Sequence, residues 1–400
     1  VKAALRWYLP LAVVAAALNL RPVLITVGVV LPMVQRSLGL SAFGAGALTA
    51  LPILALGLAP AIAVPVGRRL GWNGGLVFAL VLVGTGTLLR SAGGSVELYA
   101  GALTLGVGIG LGNVYVPTLV KARLSERIGL AMGIYTMLLA GSALVSVLLM
   151  PALLARFGDW RPALGIWALP CFAATLLVLP LLSDNLRPLD HIAGMGLWRS
   201  GLAWAVSVYM GMQSASFYSV ALWLGTLMTA RGITLPAVAA DLSIYYFMQV
   251  VTALLTPVLL TKTRRQDAMA AAIAAVNGAL IVAVLYAPAG TSFALCALLG
   301  LSSGALFGVA LTFQVIRART ADSAARLSSM ALCVGYVIAS LGPLVLGLVN
   351  HTANARLASA LWLLVIAAIT MIAGIFAGRP RFVDAPAIGE ADARLQRAAR

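Results

Sequence analysis

The chain has 400 residues, of which 62% are hydrophobic and 10% charged, and its mean hydropathy is +1.03. A soluble fold needs far more charge to cover its surface, so a set of two or three globular domains is excluded. A formal net charge of +16 would direct a soluble protein towards nucleic acid, but here its meaning depends on where the charges fall.

Apolar windows of about 20 residues recur along the whole chain and predict an all-α polytopic membrane protein with twelve spans. The first six cover roughly 8–34, 43–66, 74–90, 97–119, 128–152 and 161–182. A polar break at 183–199 follows, with Asp184, Asn185, Arg187, Pro188, Asp190 and His191. Six more spans cover roughly 200–229, 236–261, 268–288, 292–316, 327–350 and 356–377. The expected organisation is an N-terminal six-helix bundle (1–182), a linker (183–199), a C-terminal six-helix bundle (200–378) and a polar tail (379–400). No cleavable signal pattern is expected, because the first apolar stretch is too long and lacks a small-residue cleavage site.

Span one carries the charge that stands out. Arg21 lies about 13 residues into the span, roughly 20 Å at the helical rise, near the middle of the hydrocarbon. Placing arginine there costs about 2.5–3.5 kcal/mol, and it cannot escape by losing its proton. It needs a partner or a wet cavity. The eleven acids are Glu97, Glu126, Asp159, Asp184, Asp190, Asp241, Asp267, Asp322, Asp384, Glu390 and Asp392. None falls at a span centre; Asp241, one turn into span eight, comes nearest. The unmatched guanidinium points to a substrate that is the counter-ion, a small anion or strongly electronegative molecule held by the planar fork of donors. The alternative, in which Arg21 ties helices together through backbone carbonyls, stays open. Pro22 removes a hydrogen bond to the Leu18 carbonyl and disfavours helical geometry at Arg21. Asn19, Arg21 and the broken turn are therefore expected to form one polar locus lining a cavity.

Further along, span four carries Asn113 and Tyr115 and closes on Lys121. Span seven has Gln213, Ser214, Phe217 and Tyr218; span eight has Asp241, Tyr246 and Gln249; span eleven has Tyr336. All but Lys121 and Asp241 join Arg21 and Asn19 as candidate substrate-binding residues, with helix packing as the competing use of each. Lys121 and Asp241 are gate or coupling candidates, and for Lys121 simple anchoring competes. His191 lies in the linker and His351 at the end of span eleven, so neither is placed as a central proton carrier. Facilitated movement, exchange, or co-transport of the substrate's own proton is expected instead of a dedicated carboxylate relay. Cys171, Cys296 and Cys333 all sit inside spans, which rules out a disulfide framework and makes them structural thiols. No metal or cofactor motif is present, no span holds HExxH or an equivalent catalytic set, and no channel-filter repeat occurs. An enzyme, sensor or channel is not expected.

With the N-terminus in the cytoplasm, 20 of the 27 basic residues fall on the inner side. Arg36, Arg90, Arg156, Arg161, Arg231 and Arg356 fall outside, and Arg21 is left within the membrane. The positive-inside rule thus places both ends in the cytoplasm. The basic balance is a topology signal, and no nucleic-acid partner is needed to explain it. Trp7, Trp72, Trp160 and Trp198 fall at span ends, where an amphipathic ring sits well.

The halves also match each other. Val120-Lys121-Ala122-Arg123 corresponds to Ile316-Arg317-Ala318-Arg319 at an offset of 196, and Gly108 and Gly112 correspond to Gly304 and Gly308. Gly39-Leu40-Ser41 corresponds to Gly232-Ile233-Thr234 at an offset of 193. Three matches in consistent order imply a duplication.

Several local patterns then combine. They are Asn19-Leu20-Arg21-Pro22; Gly112-Asn113-Val114 through Pro117 and Val120-Lys121; Trp160-Arg161-Pro162-Ala163-Leu164; Gln213-Ser214 with Phe217-Tyr218 and Trp223-Leu224; and Gly335-Tyr336 through Gly342-Pro343. Together, over almost the whole chain, they resemble the cyanate and 2-nitroimidazole transporter branch of the major facilitator superfamily. That resemblance implies a bacterial inner-membrane carrier of twelve helices for a small anion or small nitrogen-containing compound, and a monomer is the expected working unit. In that fold spans 1, 4, 7 and 10 line a central cavity, and the halves rock about a midplane site in alternating access. A drug or 2-nitroimidazole exporter of the same fold is the alternative. One departure concerns the loop between spans two and three, which usually carries an Asp-Arg pair before glycine. Here it reads Pro65-Val66-Gly67-Arg68-Arg69-Leu70-Gly71, without an acid, which puts the charge latch attributed to that loop in doubt.

Overall fold

The computed structural model describes residues 2–40, 42–186, 195–229, 231–349 and 354–383. Arg187, Pro188, Asp190, His191 and His351, and the tail from residue 384, lie outside the described residues. Among the described residues the chain is helical, without strands. Its α-helices are α1 (Lys2–Asn19), α2 (Pro22–Leu38), α3 (Ala42–Leu58), α4 (Pro60–Arg90), α5 (Ser95–Arg123), α6 (Ile128–Phe157), α7 (Trp160–Gly165) and α8 (Ala168–Val178). They continue with α9 (Met195–Trp198), α10 (Gly201–Thr229), α11 (Leu235–Lys262), α12 (Gln266–Tyr286), α13 (Ser292–Ile316), α14 (Ala321–Val349) and α15 (Ala355–Ala377).

These helices make the twelve expected passes. Span one is α1 plus α2, interrupted at Leu20-Arg21, and span six is α7 plus α8. Among the described residues, ten stretches are long and apolar enough to cross a membrane by themselves, and one of them, Pro60–Arg90, contains a sharp reversal. At Gly71 the backbone takes φ 75° and ψ 168°, a region that glycine enters without a Cβ penalty. Span two ends there and span three begins.

The acid-free loop is held by amides. Trp72 N–H donates to the Leu186 carbonyl at 2.8 Å, and Asn185 Nδ2 donates to the Leu70 carbonyl at 2.6 Å. Asn73 Nδ2 donates to the Leu181 and Asp184 carbonyls at 2.8 and 3.1 Å. Arg123, closing α5, pairs with the Asp184 carboxylate at 2.5 Å and donates to its carbonyl at 2.6 Å. Spans three, four and six are thus tied together on this face by a pair that the loop itself does not carry.

The second half has a counterpart. Arg317 donates to the carbonyls of Ala377 and Gly378 at the end of α15, and to Gln266 Oε1 at the start of α12. Burial lowers its pKa to about 10, so it stays charged at neutral pH. Arg123 and Arg317 therefore play the same part, 194 residues apart.

Glycine packing supports that register and corrects the expected one. A Cβ at Gly106 or Gly110 would strike the Pro52 or Leu56 carbonyl of α3, and one at Gly300 or Gly304 the Tyr245 or Gln249 carbonyl of α11. These pairs are again 194 apart. At the expected offset of 196, Gly108 faces Ala79 and Val83 of α4 whereas Gly304 faces α11. Glycines occur on several faces of these helices, so a sequence match alone was free to slip by two residues.

The two halves meet through α6 on α11 and through α14 on α3, α4 and α5. Thr136 Oγ1 donates across this boundary to the Ala253 carbonyl, and Gly133 lets the Leu254 carbonyl approach. Small residues permit such close backbone contact within a membrane. The apolar packing is asymmetric. On the side where α1 begins and α5, α11, α13 and α15 end, one continuous core joins the halves, from Trp72 and Val120 to Phe313 and Met330. On the opposite side each half keeps its own core, around Val30 and Trp160 in the first and around Val220 and Leu363 in the second. Among the described residues, the apolar core joins the halves on the terminal side and stays separate within each half on the other.

Candidate substrate site

The break in span one places Arg21 at the N-cap of α2, with φ −111° and ψ −38°. Its carbonyl accepts from the Leu24 and Ile25 N–H groups at 3.1 and 3.3 Å, the first hydrogen bonds of α2. Asn19 is buried, and its Nδ2 donates to the Ala15 carbonyl at 2.7 Å, within the last turn of α1.

The half-buried guanidinium of Arg21 reaches across to the second half, where its central carbon stands 5.1 Å from the centroid of the Phe307 ring on α13. Among the described residues it has no hydrogen-bond acceptor and no carboxylate partner. Tyr135 on α6 and Tyr336 on α14 lie within its electrostatic reach. Tyr135 donates to Asn113 Oδ1 at 3.0 Å, and Gly112 accepts Leu20 against its backbone. Spans one, four, five, ten and eleven therefore converge here.

Tyr336 lies beside Tyr218, which begins an aromatic wall in the second half. The Phe217 and Tyr218 rings are 5.1 Å apart, Phe217 and Tyr246 6.5 Å, and Tyr246 and Tyr245 5.2 Å. Gln249, one turn beyond Tyr245, is buried with no partner for Nε2. Gln213 Nε2 donates to Ser214 Oγ at 2.7 Å and to the Met210 carbonyl at 3.1 Å, so these two satisfy each other.

Tyr115 points elsewhere. Its hydroxyl donates to the Ala63 carbonyl at 2.8 Å and its ring packs 6.0 Å from Trp72, between spans two, three and four. Two residues along a helix turn the side chain by about 200°, so Asn113 and Tyr115 cannot share a face. Lys121 is half-buried at the terminal end of α5, about 12 Å of helical rise from Asn113. Asp241 is 2% exposed, has no partner for Oδ2 and influences Cys296. It too stands about 12 Å of rise from Gln249. Neither belongs to the set around Arg21.

Phe307 and Tyr135 escape a reading by polar residues in spans. A register of 194 would have found the first, because it makes Phe307 the counterpart of Asn113. Arg90 requires a correction. Grouped with the outer charges, it is 1% exposed and donates from Nη1 to the Val23 carbonyl at 2.8 Å.

Twelve helical passes in two pseudo-symmetric halves, converging on a donor-rich, aromatic-walled site, define a membrane transporter and no enzyme. The sequence pattern of the Major Facilitator Superfamily matches residues 23–343, and the chain belongs to that family. It is 34% identical to the 2-nitroimidazole transporter of Escherichia coli (strain K12) over 362 residues, 88% of this chain and 90% of that protein. It is 26% identical to the cyanate transport protein CynX of the same strain over 338 residues, 83% and 87% of the two chains. The solved structure of the proton:xylose symporter XylE gives a TM-score of 0.75, covering 94% of this chain and 96% of that one. At 14% identity, that likeness carries the fold alone.

Proposed function

We propose that this protein moves a small anion or small nitrogen-containing compound, cyanate-like in size and charge, across the bacterial inner membrane by alternating access. Arg21 is the substrate's counter-ion. The observation that carries this reading is the guanidinium itself, a permanent cation between the halves with no acceptor among the described residues. Such a group favours an acceptor-rich ligand. The segments 1–182 and 200–378 rock as units about it, with both termini cytoplasmic and the protein working as a monomer. Closure on the terminal side then corresponds to an outward-facing state. Tyr336, Tyr218 and Gln249 complete the site, and no dedicated carboxylate relay is required, Asp241 being the coupling candidate if one exists. The aromatic wall of Phe217, Tyr218 and Tyr246 supports a second reading, a flat nitroheteroaromatic as cargo, and the 2-nitroimidazole transporter among the relatives agrees with it. Uptake of labelled cyanate by proteoliposomes, with 2-nitroimidazole as competitor, separates the two. Absence of saturable flux for both compounds would remove the proposal.

A further inference from the structure

Arg90 closes span three, where a solvated outer charge is the ordinary expectation. Its burial has a specific cause. Spans three and four cross with their backbones in contact: a Cβ at Gly86 would meet Leu105 N at 2.5 Å, and one at Gly101 would meet Arg90 N at 2.2 Å. No side chain separates the helices there, so the last turn of α4 is pressed against α5 and the Arg90 side chain is directed onto α2.

There it makes one hydrogen bond, to the carbonyl of Val23, two residues beyond Arg21. Nε and Nη2 are buried without partners. No carboxylate lies within ion-pair distance among the described residues; Asp159, at the same end of the bundle, pairs with Arg161. A hydrogen bond to Val23 does not explain the choice of arginine, because a neutral amide donor would make it without the desolvation cost of a buried cation. Arginine cannot neutralise itself. What the fold maintains at this position, against that cost, is positive charge next to the broken turn that bears Arg21.

We infer that Arg90 is a second cation of the substrate site, a specificity-determining residue that raises affinity for anions through its field without touching them. This rests on the anion reading proposed above. Arg90 reaches α2 two residues beyond Arg21, and in a low-dielectric surrounding such a charge acts over several ångströms.

The test is cyanate uptake in proteoliposomes with Arg90→Gln, which keeps a donor for Val23 and removes the charge, and with Arg90→Lys, which keeps the charge. Arg90→Gln should raise the KM for cyanate about tenfold, or about 1.4 kcal/mol, at an unchanged maximal rate, and Arg90→Lys should stay within about twofold of wild type. A KM unchanged in Arg90→Gln, a fall in maximal rate alone, or equal damage from both substitutions overturns the inference while leaving Arg21 as counter-ion intact. If Arg90→Gln does not fold, Thr87→Glu, one turn earlier on α4, neutralises the guanidinium in place and must raise KM comparably; an unchanged KM there is equally fatal. A wild-type protein without saturable cyanate uptake removes the anion reading, and this inference falls with it.

Discussion

Arg21 and Phe307 meet across the boundary between the two halves, the guanidinium carbon 5.1 Å from the ring centroid. One residue belongs to the break in span one and the other to the middle of α13, so this contact must change whenever the halves move relative to each other. A cation over a ring face contributes about 0.5 kcal/mol when exposed and about 2 kcal/mol when desolvated. Phe307→Leu should therefore raise the KM for substrate by about twofold to thirtyfold, while Phe307→Tyr stays near wild type. Concentration-dependent uptake decides it, and a Leu variant with unaltered KM means that the ring does not orient Arg21.

Arg21→Ala should abolish transport with expression and membrane insertion preserved, because no described residue depends on its side chain for a hydrogen bond. Arg21→Lys should fail largely as well, since a point charge does not reproduce a planar bidentate fork. Initial uptake rates normalised to protein in the membrane are the measurement. Wild-type flux in the alanine variant would reassign Arg21 to helix packing.

Arg21 was legible in the sequence because a lone charge in the middle of an apolar span is a compositional outlier that needs no tertiary information. The twelve spans were legible for the same reason, through hydropathy and length. Burial of Arg90 was not. It follows from the Gly86–Gly101 crossing, a contact between two helices that no local pattern encodes, and a span end normally reads as surface. The register of the repeat lay between these cases: the duplication was visible, but glycines on several faces left the offset free to slip from 194 to 196. Tyr115 was grouped with Asn113 as a candidate binding residue because polar character was considered without helical phase. Its hydroxyl bonds Ala63, on the far side of α5.

The amide latch beneath Gly71 should matter more for stability than the ion pair beside it. Asn73→Leu leaves the Leu181 carbonyl without its Asn73 donor, at about 1–3 kcal/mol, while the Asp184 carbonyl keeps its hydrogen bond from Arg123. Asp184→Asn disrupts a pair whose side chains are 25% and 40% exposed, so solvent screening holds its cost to about 0.5–1 kcal/mol. Thermal unfolding in detergent should rank the two in that order. The reverse order would show that the charge pair, and not the amides, fastens the loop.

Closure on the terminal side can be trapped where α6 and α11 touch. A Cβ built on Gly129 lies 3.1 Å from Thr261 Cβ, slightly inside the separation of about 3.5–4.5 Å that a disulfide spans, so a small outward shift suffices. Gly129→Cys with Thr261→Cys, in a background where Cys171, Cys296 and Cys333 are replaced, should crosslink on mild oxidation. Because the bond joins the two halves on a side that must open in each cycle of alternating access, transport should stop on oxidation and return with a reductant, while substrate binding from the opposite side persists. The single-cysteine variants should transport regardless of oxidant, which separates the crosslink from any effect of enlarging Gly129. Uptake at the reduced rate by fully crosslinked protein would mean that α6 and α11 stay together throughout the cycle, and that the halves do not part there.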